Sequence, residues 1–258
     1  MNFLAADIID KFYNLMWPML RISAMMITAP IFTLNAFNLR LRILLAMCLT
    51  WLVYPLHQWP SLDPVSAAGL PEVFNQIAIG AIMGLILQIV TAAVVVAGQT
   101  IAASMGLSMA NMLDPNMGNV PVVSQLLIVM SSLIFVGFGG HAMLLGLIID
   151  SFHALPIGQS VLQAEIFTRL IQWSSMVFLG AILIALPIMA SLLFINIGMG
   201  VVTRAAPSLN IFSVGFPAMI MTGFLILIMS TESIGNRIEW LWLQGFNAVR
   251  DVIGVPYV

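Results

Sequence analysis

The chain has very little charge. Of its 258 residues only 7% are Asp, Glu, Lys or Arg, whereas 61% are hydrophobic, and the mean hydropathy is +1.09. Such a chain cannot cover its surface with polar groups, so we expect an integral membrane protein or a subunit buried in a membrane assembly. The net charge of −2 and the lack of a basic tract exclude the positive surface that phosphate backbones require, and we expect no nucleic-acid partner.

Cysteine and the short motifs of catalysis are also scarce. Cys48 is the only cysteine, which excludes an internal disulfide and a cysteine metal cluster. The sequence contains no H-E-x-x-H, G-x-S-x-G or P-loop pattern, so we expect no enzymatic activity, no metal and no cofactor. Asp7 and Asp10 stand where a signal peptide would carry basic residues, and we expect the N-terminal segment to be retained.

Long apolar segments make up most of what is present. A bilayer core about 30 Å thick needs about 20 helical residues for one crossing. The third and fifth segments are too long for one upright crossing, and Pro187 predicts a kink in the fifth. We therefore predict an all-α polytopic membrane protein of long, partly kinked helices. The six segments are residues 12–34, 43–59, 73–104, 122–149, 170–202 and 211–231.

The C-terminal segment differs from the rest because it is amphipathic. Its apolar residues follow helical spacing, while the polar residues lie largely elsewhere. Two interpretations stay open: the helix anchors the chain at a membrane surface, with Trp240 and Trp242 among the lipid headgroups, or it docks on a partner protein. The apolar positions are Ile234, Ile238, Leu241, Trp242 and Phe246.

Two arginines lie in or beside apolar sequence. An arginine in such a place must find an acceptor or reach water. For Arg21 we expect an acceptor on a neighbouring subunit, the alternatives being extension to the interface or a pair with Asp10. Arg204 precedes a polar break that contains Pro207, Gly215 and Pro217, and we expect this break to need partners.

A small group of His and acidic residues supports a competing function. Asp150 and His153 would share a helix face and could relay a proton, although a polar helix end explains them equally well. The alternative is therefore a small-solute or ion transporter with a midplane site formed by Arg21, His141, Asp150 and Arg204. We find no internal repeat of the kind such transporters often show. A purely structural membrane scaffold is a third class.

Small residues recur at every fourth position in the third segment and just after it. Gly98, Ala102, Gly106 and Ala110 form one set, and Gly80 and Gly84 form another. On a helix, each set makes a smooth stripe that lets a second backbone approach closely. Packing within the chain and contact with another subunit fit this pattern equally well.

Three motifs in order carry a resemblance to a known family. They are SMANMLDPNMGNVPVVSQLL, GGHAMLLGLIIDSFHALP and RAAPSLNIFSVGFP. With them, and over nearly its whole length, the chain resembles the FliR family of flagellar export-gate proteins, which is related to the T subunit of type III secretion injectisomes. One departure is Ser208, where the family usually has Gln after the proline.

The resemblance implies a non-enzymatic subunit of the flagellar type III protein export gate, which forms and seals the channel for unfolded flagellar proteins. It implies one copy beside several FliP and FliQ chains, with FlhB and FlhA as further partners, exported flagellar proteins as substrates, and contact with membrane lipid. The implied place is the bacterial inner membrane at the flagellar basal body. Within a single export-gate domain, residues 1–160 would be FliP-like, and residues 161–258 a FliQ-like helical hairpin with the amphipathic tail.

In that family, the loop matching residues 106–123 closes the channel. Methionine suits a movable seal because it is unbranched and polarizable and fills irregular gaps. From the residues alone, an Asp-Pro turn between two helices fits as well. The seal residues would be Met105, Met109, Asn111, Met112, Asp114, Pro115, Asn116, Met117, Gly118 and Asn119. Assembly and packing would depend on Arg21, Gly98, Ala102, Gly106, Arg204, Pro207, Asn210, Phe212, Gly215 and Pro217.

Overall fold

The structure is a computed structural model that describes residues 5–30, 38–57, 59–60, 62–107, 122–158, 164–205 and 215–255. Every regular element among these residues is a helix, which confirms the predicted all-α class. The helices are α1 (Ala5–Thr28), α2 (Leu39–Val53, followed by the 3-10 turn Tyr54–Leu56), α3 (Gly69–Ser104), α4 (Val122–Gly137), α5 (Gly140–Ala154), α6 (Ala164–Ser174), α7 (Met176–Ala205), α8 (Phe216–Met229) and α9 (Thr231–Ile253).

Three helical stretches are long and apolar enough to cross a membrane: Leu39–Leu56, Gly69–Ser104 and Ala164–Ala205. Two further pairs of consecutive helices, α4 with α5 and α8 with α9, raise the number to as many as five if each pair makes one broken crossing. Six apolar segments were predicted, and helix α1, which holds most of the first, is not among the helices that could cross a membrane.

Two of the predicted apolar segments each hold parts of two consecutive helices, in agreement with the prediction of partly kinked helices. Segment 122–149 breaks between α4 and α5, where Gly139 has a left-handed backbone with φ of +77°. Glycine adopts this conformation without the steric cost that a Cβ would bring. In segment 170–202, only Ser175 separates α6 from α7, and the two helices together form the stretch Ala164–Ala205. Pro187 lies inside α7 and does not end it.

Helix α3 is 36 residues long, about 54 Å at 1.5 Å per residue, and it ends for a local reason. Gly106 has a φ of +80°. The N–H of Gly106 donates to the Ala103 carbonyl and the N–H of Leu107 donates to the Ala102 carbonyl, each at 3.0 Å. These two bonds form a Schellman motif, which closes a helix with a left-handed glycine. The helix therefore stops just before the methionine-rich segment because of Gly106.

The chain forms two compact units. The first unit consists of Met1–Ile89, Gly139–Ser174 and Gln244–Val258, and the second of Val90–Phe138 and Ser175–Leu243. Each unit draws on segments that are distant in sequence, so neither follows the expected division at residue 160. That division concerns similarity to FliP and FliQ, and it remains a prediction.

In the first unit, α1 lies against α3 at two glycines. A Cβ on Gly80 would lie 3.0 Å from the Ala24 Cβ, and a Cβ on Gly84 would lie 2.8 Å from the Thr28 Cβ. Only glycine allows the two backbones to approach this closely. This pair of small residues therefore serves packing within the chain.

In the second unit, the amphipathic helix α9 buries its apolar face against the chain itself. Trp242 donates from Nε1 to the Ser131 hydroxyl at 2.9 Å, and its ring lies 4.7 Å from the ring of Phe135 in an edge-to-face contact. Neither a membrane surface nor a partner covers this face, contrary to both interpretations of the tail. Trp240 lies outside this face and is 41% exposed. The buried members in this unit are Ile234, Ile238, Leu241 and Trp242.

Candidate functional site

In the second unit, the two helices that flank residues 106–123 touch at a glycine. A Cβ on Gly98 of α3 would lie 2.7 Å from the hydroxyl of Ser124 and 2.8 Å from its backbone nitrogen. The fully buried Ser124 donates from Oγ to the Val95 carbonyl at 3.1 Å. Both ends of the methionine-rich segment are therefore anchored to one closely packed helix pair. Gly98 makes this contact within the chain.

Met105, the first of the predicted seal residues, is fully buried at the end of α3. A Cβ on Gly223 of α8 would lie 2.7 Å from both Cγ and Cε of Met105. Gly223 was not predicted, because a lone glycine in an apolar segment carries no distinguishing pattern. Ala102 is 2% exposed in the same unit. The end of α3 is therefore held by packing on two sides.

Several predicted site residues lie outside the described residues. They are Met109, Asn111, Met112, Asp114, Pro115, Asn116, Met117, Gly118, Asn119, Pro207, Asn210 and Phe212. Of the others around the polar break, Gly215 is buried just before α8, and Pro217 is exposed in the first turn, where a missing N–H costs little. Arg204 is exposed in the last turn of α7, where a positive charge suits the helix dipole.

Helices α3 and α7 border an apolar groove of about 540 Å³ within the second unit. Its walls include Val96 and Thr100 of α3, and Ala181, Leu186 and Leu193 of α7. Large apolar side chains on α7 also face outward, with exposed fractions from 46% to 75%. Apolar surface of this extent needs lipid or another protein over it. The exposed members are Phe178, Leu179, Ile182, Leu186, Leu193, Phe194, Ile197, Val201 and Val202.

In the first unit, Arg21 is 1% exposed and all three of its guanidinium nitrogens donate hydrogen bonds. Its Nε donates to Oε1 of Gln76, and its two terminal nitrogens donate to the backbone carbonyls of Ser151 and Leu155, each at 2.7 Å. The amide of Gln76 in turn donates to the carboxylate of Glu72 at 2.6 Å. Arg21, α3 and α5 are therefore joined in one buried polar network.

This network supplies negative charge to Arg21 from two directions. The carbonyls of Ser151 and Leu155 belong to the C-terminal end of α5, which carries a partial negative charge. Glu72 is 5% exposed in the first turn of α3. The acceptors of these hydrogen bonds lie in the same chain, so the prediction of an acceptor on a neighbouring subunit is wrong for them. A role of Arg21 in assembly stays a prediction.

A ring cluster beside Arg21 brings together two histidines from distant segments. The ring centroids of His57 and His153 are 4.3 Å apart, and Phe152 lies 5.9 Å from His57. The guanidinium carbon of Arg21 lies 4.3 Å from the centre of the Phe152 ring. Burial, together with the nearby His153 and Arg21, lowers the pKa of His57. His153 therefore contacts His57, a pair that the sequence analysis missed because 96 positions separate the two residues.

The hydrogen bonds that the structure describes for Arg21 go to residues other than those proposed with it for a transport site. His141 is exposed and Asp150 is half-buried, while the nitrogens of Arg21 bind Gln76, Ser151 and Leu155. In the part of the chain that the structure describes, no group of three or more His, Cys, Asp or Glu residues could hold a metal ion.

Comparison with known proteins identifies the family. The family model described as "Bacterial export proteins, family 1" matches residues 12–244 of the chain. The chain belongs to this family. This bacterial export protein is 35% identical to Flagellar biosynthetic protein FliR of Escherichia coli (strain K12) over 238 residues. The alignment covers 92% of this chain and 91% of the relative. The resemblance to FliR proteins is confirmed.

More distant flagellar relatives align over a similar length of this bacterial export protein. FliR of Bacillus subtilis (strain 168) is 31% identical over 232 residues, 88% of this chain and 90% of the relative. FliR of Caulobacter vibrioides is 24% identical over 236 residues, 90% of this chain and 92% of the relative. The similarity thus extends over the helices of both compact units.

Proposed function

We propose that the chain is the export-gate subunit that helps to form the protein-conducting channel and seals it with residues 106–123. The chain is a membrane component of the bacterial flagellar export apparatus, as its family and its similarity to FliR proteins along most of its length indicate. The alternative of a small-solute or ion transporter is not supported. The substrates would be unfolded flagellar proteins.

The main observation in favour of a seal is that the structure fixes the helices at both ends of residues 106–123. Gly106 ends α3 through its left-handed backbone, and the contact of Gly98 with Ser124 holds the start of α4 against α3. Helices packed this way usually need a connection of about 2–8 residues. Residues 107–121 exceed that length, so a simple Asp-Pro turn does not account for them. A long, methionine-rich connection on a rigid frame suits a movable obstruction.

The outer surface supports assembly with other membrane proteins. The exposed apolar side chains of α7 and the groove between α3 and α7 would be covered by lipid and by neighbouring subunits. We propose that these neighbours are FliP and FliQ chains, with FlhB and FlhA as further partners. The assembly would lie in the inner membrane at the flagellar basal body. In it the chain would have no catalytic role.

The seal can be tested by replacing residues 109–119 with a short Gly-Ser linker. Because the frame at Gly98, Ser124 and Met105 lies outside this segment, the assembled complex should persist while the resting membrane becomes permeable to ions. Ion permeability of the cells is measured beside the amount of purified complex. Single changes of Met109, Met112 or Met117 to Ala are the matched controls, and they should leak less because the remaining methionines can repack.

Two results would contradict the seal. An intact complex that stays as tight as the parent would show that the segment obstructs nothing. Loss of the complex, with no leaky species, would favour a connecting turn whose shortening strains the two helices.

A further inference from the structure

Pro187 leaves a carbonyl oxygen of α7 without its helical donor. In an α-helix, the N–H of each residue donates to the carbonyl four positions earlier, and proline has no N–H. Because α7 continues through Pro187 from Met176 to Ala205, the carbonyl of Leu183 loses its regular partner. An acceptor left unpaired inside a packed protein destabilises the fold.

A side chain from another helix supplies the missing hydrogen bond. Nη1 of Arg237, on α9, donates to the carbonyl oxygen of Leu183. Arg237 is half-buried and lies at the edge of a cavity of about 680 Å³ that is also lined by Leu183 and Asn236. We infer that Arg237 replaces the proline's missing N–H and so holds the two halves of α7, before and after Pro187, in their relative orientation.

The packing around this contact explains why Arg237 reaches the carbonyl. A Cβ on Gly180 would lie 3.0 Å from both terminal carbons of Leu241 and 3.2 Å from the Ala93 Cβ. Glycine at this position lets α9 approach α7 about two turns before Pro187. Ile234, Ile238 and Leu241 are buried on the same helix as Arg237. Helix α9 is therefore fixed against α7, and its arginine meets the carbonyl that the proline exposes.

The orientation of these two halves matters because Pro187 divides one wall of the apolar groove. Ala181, Ile182 and Leu186 line the groove before the proline, and Met189 and Leu193 line it afterwards. A change in the angle between the two halves of α7 would move these side chains relative to α3. Arg237 thus sets the shape of the surface that α7 offers to its surroundings. This role depends only on atoms of the chain, so it holds whether or not residues 106–123 seal a channel.

The test is a double-mutant cycle on the full-length chain. Arg237→Met removes the donor and keeps the aliphatic bulk, whereas Pro187→Ala restores the regular N–H donor for Leu183. In the parent background, Arg237→Met should lower the thermal unfolding midpoint by roughly 2–5 °C, the loss expected for an unpaired acceptor that is partly buried in a chain of this size. In the Pro187→Ala background, the same change should cost less than half as much.

A second measurement reports the orientation of the two halves of α7. Spin labels are placed at Leu179 and Phe194, exposed positions on either side of Pro187, in a Cys48→Ser background. Arg237→Met should broaden the distance distribution between the labels or shift its mean, and adding Pro187→Ala should narrow it again. Glu239→Gln, an exposed change on the same helix, is the control and should leave both readouts at the parent values.

The outcomes separate the donor role from an ordinary surface charge. Equal losses for Arg237→Met in both backgrounds, with an unchanged distance distribution, would overturn the inference. If Arg237→Met does not accumulate, its recovery by Pro187→Ala would support the role, and failure of that recovery would overturn it.

Discussion

The amide of Gln76 joins Arg21 to Glu72. It accepts from Nε of Arg21 at 2.7 Å and donates to the carboxylate of Glu72 at 2.6 Å. A buried guanidinium is tolerated when its donors are paired and a counter-charge is close. Through these bonds, Arg21 of α1 links α1 to α3 and to the end of α5. A charge that looked isolated in apolar sequence therefore stabilises the packing of the first unit.

Removal of Arg21 should therefore be costly. Arg21→Met leaves Gln76 and the carbonyls of α5 without their donor and removes the positive charge near the buried Glu72. Removal of one member of a buried charged network costs about 3–5 kcal/mol. Arg40→Met removes the same charge from an exposed position on α2 and should change stability by less than about 0.5 kcal/mol. Thermal unfolding of the detergent-purified chain measures both, and similar losses in the two variants would contradict the network.

Gly98→Ala tests the frame of the methionine-rich segment. Alanine favours a helix over glycine by up to about 1 kcal/mol, but here its Cβ would meet backbone as well as side-chain atoms of Ser124. Because backbone cannot move aside cheaply, we expect a net loss of about 1–3 kcal/mol. Gly146→Ala on α5 is the control, since its Cβ would meet nothing within 4 Å, and it should be neutral or stabilising. Unchanged stability of the Gly98→Ala variant would mean that α3 and α4 do not pack at this point.

The lowered pKa of His57 predicts a loss of stability in mild acid. Above its ordinary pKa of 6.5, the imidazole is neutral in both the folded and the unfolded chain. As the pH falls below that value, the unfolded chain binds the proton more readily, so stability decreases until the pH passes the lowered folded pKa. His57→Phe keeps a ring against Phe152 and His153 and removes the titration. Between pH 7.5 and 5.5, the thermal unfolding midpoint should fall less in this variant than in the parent. An equal decrease of the midpoint with pH in the two chains would count against the prediction.

Arg204→Ala should separate assembly from folding. Arg204 is exposed at the end of α7, so its loss should alter the stability of the isolated chain by less than about 1 kcal/mol. We expect the yield of assembled complex and swimming motility to fall together, because a neighbouring subunit would lose its contact with the positive charge of Arg204. Arg204→Lys should restore part of the assembly and part of the motility if the positive charge is what the contact requires. Normal assembly and motility in the Ala variant would contradict this.

Local sequence information was sufficient for the helical class and for several boundaries. The apolar run predicted the end of α3 at Ser104, and the prolines near Tyr54 predicted the end of the second apolar segment. The left-handed Gly106 that closes α3 was placed on a helical stripe instead. The break between α4 and α5 was missed because Gly139 sits in continuous apolar sequence, where periodicity does not distinguish one helix from two. The seal residues and the polar break after Arg204 came from motif resemblance, and their roles stay predictions.

Composition by itself determined that this protein belongs in a membrane, and three ordered motifs determined its family. Tertiary structure decided where the buried polar and apolar groups find their partners. Arg21 meets Ser151 across 130 positions, Trp242 meets Ser131 across 111, and Arg237 meets Leu183 across 54. Hydropathy and helical spacing are properties of neighbours along the chain, whereas a hydrogen bond between distant segments depends on how the helices pack. For this reason the sequence showed that Arg21 needs an acceptor and that α9 has an apolar face, and only the fold showed that the same chain supplies the acceptor and covers the face.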